Sequence, residues 1–410
     1  MENGKFFKKT VRDVPLDGKT VLVRTDYNVP LNKDSTIRDD YRIKASLPTL
    51  QYLIERGCKI VLISHLGRPD GVIQPSMSLV PVARRLEELL GERVTFVESC
   101  VGDTAAVAVR QAGNRSITLL ENLRFHAGEE QNDPEFARQI VEAVKADFFV
   151  QDGFGVVHRA HASTSAITQI IPSVAGLLVE REYMTITGAM TTPKRPLVVT
   201  LGGAKISDKI KVVERFVQLA DKVLIGGAMA STFLRFRGYN TGKSLVENDV
   251  DEVMQSIYEA AERKVGKEKV DDFLVLPIDV AVGFATEAGA RRMEVAREQV
   301  GADEFILDIG QKTMEYFARE LSDARTVIWN GPVGYTELPQ FAHGSARVAL
   351  ELATHPETNS IIGGGDTADF VTHWDVNHGD SFSHVSTGGG ASLELMAGDP
   401  MPGIGSLLAA

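Results

Sequence analysis

The stretch LVVTLGGAKISDKIKVVERFVQLADKVLIGG, residues 197–227, holds the fold in miniature. Leu197–Leu201 is a run dense in Val and Leu rather than alternating, closed by Gly202-Gly203. In the Ile206–Ala220 segment that follows, Ile206, Ile210, Val213, Val217 and Ala220 recur at intervals of three or four, the spacing of an amphipathic helix. Lys222–Ile225 is a second apolar run, closed by Gly226-Gly227. Strands dense in apolar residues, rather than alternating, are covered on both faces. Two of them joined by a helix predict a parallel βαβ crossover.

The same alternation extends in both directions. Upstream, strand-like runs are Val21–Arg24, Lys59–Ser64, Arg93–Val97, Ile117–Leu120 and Asp147–Val150. Downstream they are Phe273–Leu276, Phe305–Leu307, Thr326–Trp329, Ser360–Ile362 and His384–Ser386. Ile43–Arg56, Asp249–Lys264 and Gln340–Ala353 carry helical spacing between them. Alternation of this kind predicts α/β architecture with helices on both faces of parallel sheets. The pattern breaks near Pro172–Pro196, where Val174–Met190 reads as a helix and TTPKRP (191–196) as a polar exit. The expected fold class is therefore α/β, with two Rossmann-like parallel-sheet domains joined by a helix hinge. The expected boundaries are 1–173, a linking helix and exit over 174–196, and 197–385. One large sheet with a long excursion is the alternative.

Composition narrows the function classes. The 410 residues are 43% hydrophobic and 24% charged, enough apolar material for more than one core. The formal charge of −11 argues against a general nucleic-acid or anionic-membrane binder. No apolar run approaches the ~20 residues of a membrane span, and MENGKFFKKT lacks the apolar stretch of a secretory signal. With only Cys58 and Cys100, a reduced cytoplasmic setting is expected.

In open α/β sheets, ligands bind beyond the carboxyl ends of the strands. In the first half those ends carry charge: Arg24-Thr25-Asp26-Tyr27-Asn28, Ser64-His65-Leu66-Gly67-Arg68, Glu121-Asn122-Leu123-Arg124 and Asp152-Gly153-Phe154-Gly155, with His158-Arg159-Ala160-His161 close behind. Converging guanidinium and imidazole groups suit a small, multiply charged anion. A zinc site on His158 and His161 is disfavoured, because no cysteine or acidic pair completes it. In the second half the ends are glycine-rich: Gly202-Gly203-Ala204-Lys205, Gly331-Pro332-Val333-Gly334, Gly363-Gly364-Gly365-Asp366-Thr367 and Gly388-Gly389-Gly390. Glycine turns opening helices let backbone N–H groups approach a polyphosphate. One half should hold a small anion and the other a nucleotide.

Two cation placements support this. Lys205 and Lys209 flank the start of one predicted helix, and Arg42 and Lys44 the start of another. Helix N-termini repel cations, so such placements point to an anionic ligand. Standard nucleotide signatures are absent. Gly238-Tyr-Asn-Thr-Gly242-Lys243-Ser244 is one residue short of a P-loop and follows a helical segment. No dinucleotide fingerprint follows a first strand.

Taken together, Arg24-Thr-Asp-Tyr-Asn-Val-Pro-Leu31, Ser64-His-Leu-Gly-Arg-Pro69, Glu121-Asn-Leu-Arg-Phe125, His158-Arg-Ala-His161, Leu201-Gly-Gly-Ala-Lys205, Trp329-Asn-Gly-Pro-Val-Gly334, Gly363-Gly-Gly-Asp-Thr367 and Ser386-Thr-Gly-Gly-Gly-Ala-Ser-Leu-Glu-Leu395 resemble the phosphoglycerate kinase family, in the same order and over nearly the whole chain. The resemblance implies reversible phosphoryl transfer between 1,3-bisphosphoglycerate with ADP and 3-phosphoglycerate with MgATP, by a two-domain hinge enzyme. It implies a triose-phosphate site of Asp26, Tyr27, Asn28, Arg42, His65, Leu66, Gly67, Arg68, Arg124 and Arg159. It implies a nucleotide site of Gly203, Lys205, Lys209, Asn330, Glu337, Gly364, Gly365, Asp366, Thr367, Gly388, Gly389 and Gly390. Within these, Arg42 and Lys205 would act on the transferring group, Asp366 would bind Mg²⁺ and Glu337 the ribose. Residues 386–410 would cross back to the first domain.

The sequence departs from the family's commoner residues at Tyr27, Val156-Val157 and Tyr335-Thr336, none of them a charged site position. A monomer acting on small molecules is expected, with a homodimer as the alternative. A non-catalytic nucleotide-binding protein on the same scaffold is the rival functional reading.

Overall fold

The computed structural model describes residues 5–410, so the first four residues of the opening stretch lie outside it. The chain divides into two compact units, Met1–Thr185 with Asp399–Ala410, and Ile186–Gly398. The helix Leu177–Thr191 runs across the division.

The first unit is built on β1 (Thr20–Arg24), β2 (Lys59–Ile63), β3 (Val94–Val97), β4 (Ile117–Leu120), β5 (Phe148–Gln151) and β6 (Ser173–Ala175). They form one sheet in the order β3-β4-β2-β1-β5-β6, parallel throughout. The dense apolar runs are explained by the period-two alternation of strands. Val21, Val23, Ile60 and Leu62 pack on one face with Leu50 and Leu53 of the helix Tyr41–Glu55. Leu22, Val61 and Ile63 pack on the other face with Phe136 and Ile140 of the helix Pro134–Val144. Both faces are buried, so neither could be polar.

The second unit contains β7 (Leu197–Leu201), β8 (Lys222–Ile225), β9 (Leu274–Val275), β10 (Asp279–Gly283), β11 (Met293–Ala296), β12 (Phe305–Ile309), β13 (Thr326–Asn330), β14 (Asn359–Gly363) and β15 (His384–Val385). Six of these form a parallel sheet ordered β15-β14-β13-β7-β8-β9. The other three make a small antiparallel sheet, β11-β10-β12.

That small sheet corrects one sequence expectation. Phe305–Leu307 is a strand, but it pairs antiparallel with β10 and has no place in the parallel sheet. Apolar runs do not encode strand direction, and β11, with no buried residue, carries too weak a pattern to betray its partner. Val174 is likewise a strand residue, paired beside Val150, and the helix begins at Leu177. A three-residue strand is too short for its period to be told from a helical one. The Ile206–Ala220 segment opens with a 3₁₀ turn, Ser207–Lys209, before the regular helix Ile210–Leu219.

Strand order also marks where ligands should sit. In the first sheet the chain leaves β1 for β2 on one side and returns to place β5 on the other. In the second it leaves β7 for β8 and returns to place β13 opposite. A crevice opens beyond the carboxyl ends at such a reversal. Those ends are Arg24 and Gln151 in one unit, and Leu201 and Asn330 in the other.

Candidate active site

At the end of β1 the chain turns across the sheet, and Asp26 becomes the anchor of a charged cluster. Its Oδ2 accepts from Arg42 Nη1 at 2.9 Å, and the same nitrogen donates to the Asn28 carbonyl at 3.2 Å. Arg42 lies in the first turn of the helix Tyr41–Glu55, where a cation meets the unfavourable end of the helix dipole. The carboxylate of Asp26 offsets that. Asn28 in turn accepts from Gly67 N–H through its side-chain oxygen at 2.8 Å, tying the loop after β1 to the loop after β2. Arg124, in the 3₁₀ turn Leu123–Phe125 after β4, donates to the Gly67 carbonyl at 2.8 Å. Its Nη2 is buried with no hydrogen-bond partner, although guanidinium donors are costly to leave unpaired. Arg159 is half-buried and donates to His158 Nε2 at 3.1 Å.

His65 is buried among Arg24, Arg42, Arg124 and Arg159. Burial first and those four cations second hold its pKa well below the ordinary imidazole value. Burial likewise lowers His158 and His161 to about 4, with arginine charges adding to the effect. All three rings are therefore neutral at pH 7, and the positive charge of the cluster belongs to its arginines. Such a cluster can hold a multiply charged small anion.

Not every expected residue points into it. Tyr27 is fully buried, its hydroxyl bonded to Ser46 Oγ at 2.9 Å, and burial raises its pKa. Leu66 is buried, and its carbonyl accepts from Asn122. Both side chains are thus turned into the fold, while Arg68 is exposed. Arg24, Glu129, Ser163 and His161 were not assigned from sequence, yet they form the layer beneath the cluster. Arg24 was legible as a strand-end charge. Glu129 contacts Ser163 across 34 residues, and no local pattern announces that.

In the second unit the ends of β7 and β13 meet backbone to backbone. Gly202 N–H donates to the Asn330 carbonyl at 2.9 Å and Gly203 N–H to the Pro332 carbonyl at 2.9 Å. A Cβ on Gly202 would lie 2.0 Å from the Pro332 oxygen, so only glycine permits this approach. Asn330, fully buried, has neither its amide nitrogen nor its oxygen hydrogen-bonded. Gly364, with φ of +87°, brings its backbone against that amide. Thr367 is buried and accepts from Gly331 N–H at 2.7 Å.

Gly364-Gly365 opens the helix Gly365–Trp374, and Gly389-Gly390, with Gly389 at φ +52°, opens the helix Gly390–Ala397. Gly388 N–H donates to Ser386 Oγ at 3.1 Å. Two helix N-termini and two close backbone turns thus follow the carboxyl ends of strands in one sheet, the setting in which oxyanions bind.

Lys209 caps the helix Ile210–Leu219 and donates to the Gly202 carbonyl at 3.2 Å. Burial lowers its pKa, and the nearby Asp366 charge opposes that. Lys205, Asp366 and Glu337 are exposed. Asp366 offers a hard carboxylate oxygen in the first turn of its helix, the donor Mg²⁺ takes when phosphates and waters complete its shell. The residues present fit such an ion.

Comparison with known proteins bears on the whole chain. The family model described as phosphoglycerate kinase matches residues 11–399. A protein of Thermosipho africanus named phosphoglycerate kinase is 47% identical over 403 residues, covering 98% of both chains. One of Rippkaea orientalis with the same name is 48% identical over 407 residues, again covering 98% of each. Among solved structures, phosphoglycerate kinase from Coxiella burnetii superposes with a TM-score of 0.82 at 35% identity, covering 97% of this chain and 98% of that one. The enzyme from Pyrococcus horikoshii OT3 gives 0.83 at 31% identity, covering 98% of each.

Proposed function

The chain belongs to the phosphoglycerate kinase family, and with that reaction as premise we propose how its own residues perform it. The reaction is reversible phosphoryl transfer between 1,3-bisphosphoglycerate with ADP and 3-phosphoglycerate with ATP. A non-catalytic protein on the same scaffold finds no support in relatives matched over their full length.

The first unit takes the triose phosphate. Arg42, His65, Arg68, Arg124 and Arg159 bind its charged groups, and Asp26 and Asn28 bind the glycerate end. Tyr27, Leu66 and Gly67 form the floor beneath. The second unit takes the nucleotide. Gly203, Gly364, Gly365, Gly388, Gly389 and Gly390 offer close backbone, Lys209, Asn330 and Thr367 meet the phosphates, and Glu337 meets the ribose. Asp366 would hold Mg²⁺, which would supply positive charge to neutralise the nucleotide phosphates.

The nucleophile is already an anion in either direction, so no general base is needed. Catalysis then rests on alignment and on neutralising the moving group. Arg42 and Lys205 supply positive charge to that group. Because the ligands belong to different units, transfer requires closure that brings them together and excludes the water that would hydrolyse the acyl phosphate. We take the Leu177–Thr191 helix and the exit after it as the hinge, with the catalytic domains starting from the boundaries read in the sequence. One chain supplies every residue named, so a monomer suffices. The free buried thiols of Cys58 and Cys100 fit a cytoplasmic enzyme. No described helix is long and apolar enough to cross a membrane.

The observation that supports this reading best is the pair of unsatisfied buried groups, Arg124 Nη2 in one unit and the Asn330 amide in the other, which a bound anion and a bound nucleotide would supply with partners. Acyl-phosphate formation from 3-phosphoglycerate and MgATP, compared with binding of each ligand to Arg124→Ala and Asn330→Ala, tests it. Arg124→Ala should weaken 3-phosphoglycerate alone, and Asn330→Ala the nucleotide alone. The reverse pattern would sink the assignment.

A further inference from the structure

Beneath the arginine cluster lies a fully buried carboxylate that the reaction as described does not use. Glu129, in the loop following β4, accepts from Ser163 Oγ at 2.6 Å and from Ser163 N–H at 3.1 Å. Its Oε1 also stands 3.6 Å from Arg24 Nη2 and 3.8 Å from His161 Nδ1. Replacing a buried ion pair by apolar residues is often neutral or stabilising, so folding alone gives little reason for one here.

The directions of the hydrogen bonds supply another reason. Ionised Glu129 only accepts, so the Ser163 hydroxyl proton is committed to it. The Ser163 oxygen can then accept from Arg24 Nε, at 2.7 Å. Arginine only donates, so its Nη2, 3.3 Å from His65 Nδ1, requires that nitrogen to be unprotonated. A neutral His65 must then carry its proton on Nε2, an atom with no hydrogen-bond partner among the described residues. The competing tautomer would turn an Nδ1–H toward Asp26 Oδ1, 3.9 Å away, and leave a lone pair on Nε2. One form offers a bound oxyanion a donor and the other repels it.

We propose that Glu129 is a positioning residue whose carboxylate, acting through Ser163 and Arg24, fixes His65 as the Nε2–H tautomer that donates to the bound triose phosphate. This rests on the assignment of the first unit's strand ends to that ligand. His65 is surrounded by Arg24, Arg42, Arg124, Arg159 and Asp26, and burial with the four cations keeps the ring neutral.

The test is side-chain ¹⁵N NMR of histidine-labelled protein, with His65 assigned from His65→Gln, together with Kd for 3-phosphoglycerate and for ATP. In wild type, His65 should show a protonated Nε2 that responds to 3-phosphoglycerate. In Glu129→Gln the Nδ1-protonated form should appear and Kd for 3-phosphoglycerate should rise at least tenfold, with Kd for ATP within twofold. Ser163→Ala leaves the charge pair intact and should change the tautomer in the same direction, which keeps the test decisive should Glu129→Gln fold poorly. A responsive wild-type His65 whose tautomer survives both substitutions would overturn the role of Glu129 and leave the site assignment standing. A wild-type His65 indifferent to 3-phosphoglycerate would overturn the site assignment and this proposal with it. Equal losses of affinity for both ligands would reduce Glu129 to a structural residue.

Discussion

Arg42 and Asp26 form a 2.9 Å ion pair in which the carboxylate is almost wholly buried and the guanidinium is partly open to solvent. The buried partner aims the exposed one. Arg42 would otherwise be repelled by the helix terminus on which it sits, and the pair leaves part of its donor fork free for a ligand. If those donors stabilise the transferring phosphoryl, Arg42→Ala should lower kcat by about 100-fold or more, the loss expected for one transition-state donor. Steady-state kinetics with saturating substrates check this, and a kcat within threefold of wild type would dismiss the role.

Lys205 makes the matching case in the second unit. It is exposed, in the turn after the Gly202-Gly203 pair, with the Glu247 carboxylate near enough to feel its charge. Removing its charge should cost the transition state rather than the fold. Lys205→Ala is expected to reduce kcat about 100-fold and to leave the thermal midpoint within a degree or two of wild type. A large fall in thermal stability with unchanged kcat would show it to be structural.

Gly331 tests the close approach of β13 to β7. Its φ is +90°, and an added Cβ would lie 2.1 Å from the Gly202 carbonyl oxygen, a backbone atom with no room to yield. Strain of that kind plus overpacking should make Gly331→Ala cost at least ~2 kcal/mol in urea denaturation. The displaced turn should also weaken ATP binding. Gly188, within the helix Leu177–Thr191, has nothing within 4 Å and no positive φ. Gly188→Ala should therefore stabilise by roughly 0.5–1 kcal/mol. Similar outcomes for the two alanines would refute the steric reading.

Much of this architecture was legible because parallel strands buried on both faces are dense in apolar residues, and Leu197–Leu201, Lys222–Ile225 and Ile117–Leu120 keep the bounds read from sequence. The antiparallel pairing of Phe305–Ile309 was not legible, because hydrophobicity records burial and says nothing of strand direction. The charged cluster was visible as strand-end residues, since topology alone brings such ends together. Tyr27 shows the limit. Its place in the motif says nothing of which way the ring points, and the ring points into the core to meet Ser46. Glu129 was invisible, because a buried ion pair is a property of three segments meeting and of no one segment's pattern.

Asp152 closes the end of β5, and its chemistry predicts a pH dependence with a definite sign. The side chain is fully buried, its Oδ1 accepts from Leu178 N–H at 3.0 Å at the start of the linking helix, and its Oδ2 has no hydrogen bond. Gly176 makes room for it, since a Cβ there would lie 2.0 Å from Oδ1. Burial raises the pKa from 3.8 to about 7, against the lowering effect of its hydrogen bonds. Between those values the folded chain keeps a proton that the unfolded chain has released, so this group makes stability fall as pH rises from about 4 to about 7. A shift of that size corresponds to a cost on the order of 4 kcal/mol at neutral pH. His158 and His161, lowered to about 4, act oppositely, because the folded chain releases their protons first and stability rises over about pH 4 to 6.5. The wild-type curve alone therefore mixes the two effects, and a difference measurement separates them. Asp152→Asn keeps an acceptor for Leu178 N–H and abolishes the ionisation. Urea midpoints at pH 5, 6, 7 and 8 should show the variant gaining on wild type up to about pH 7 and the gap levelling off by pH 8. A gap that stays flat across that range, or closes as pH rises, would mean that Asp152 ionises at its ordinary pKa and carries no such cost.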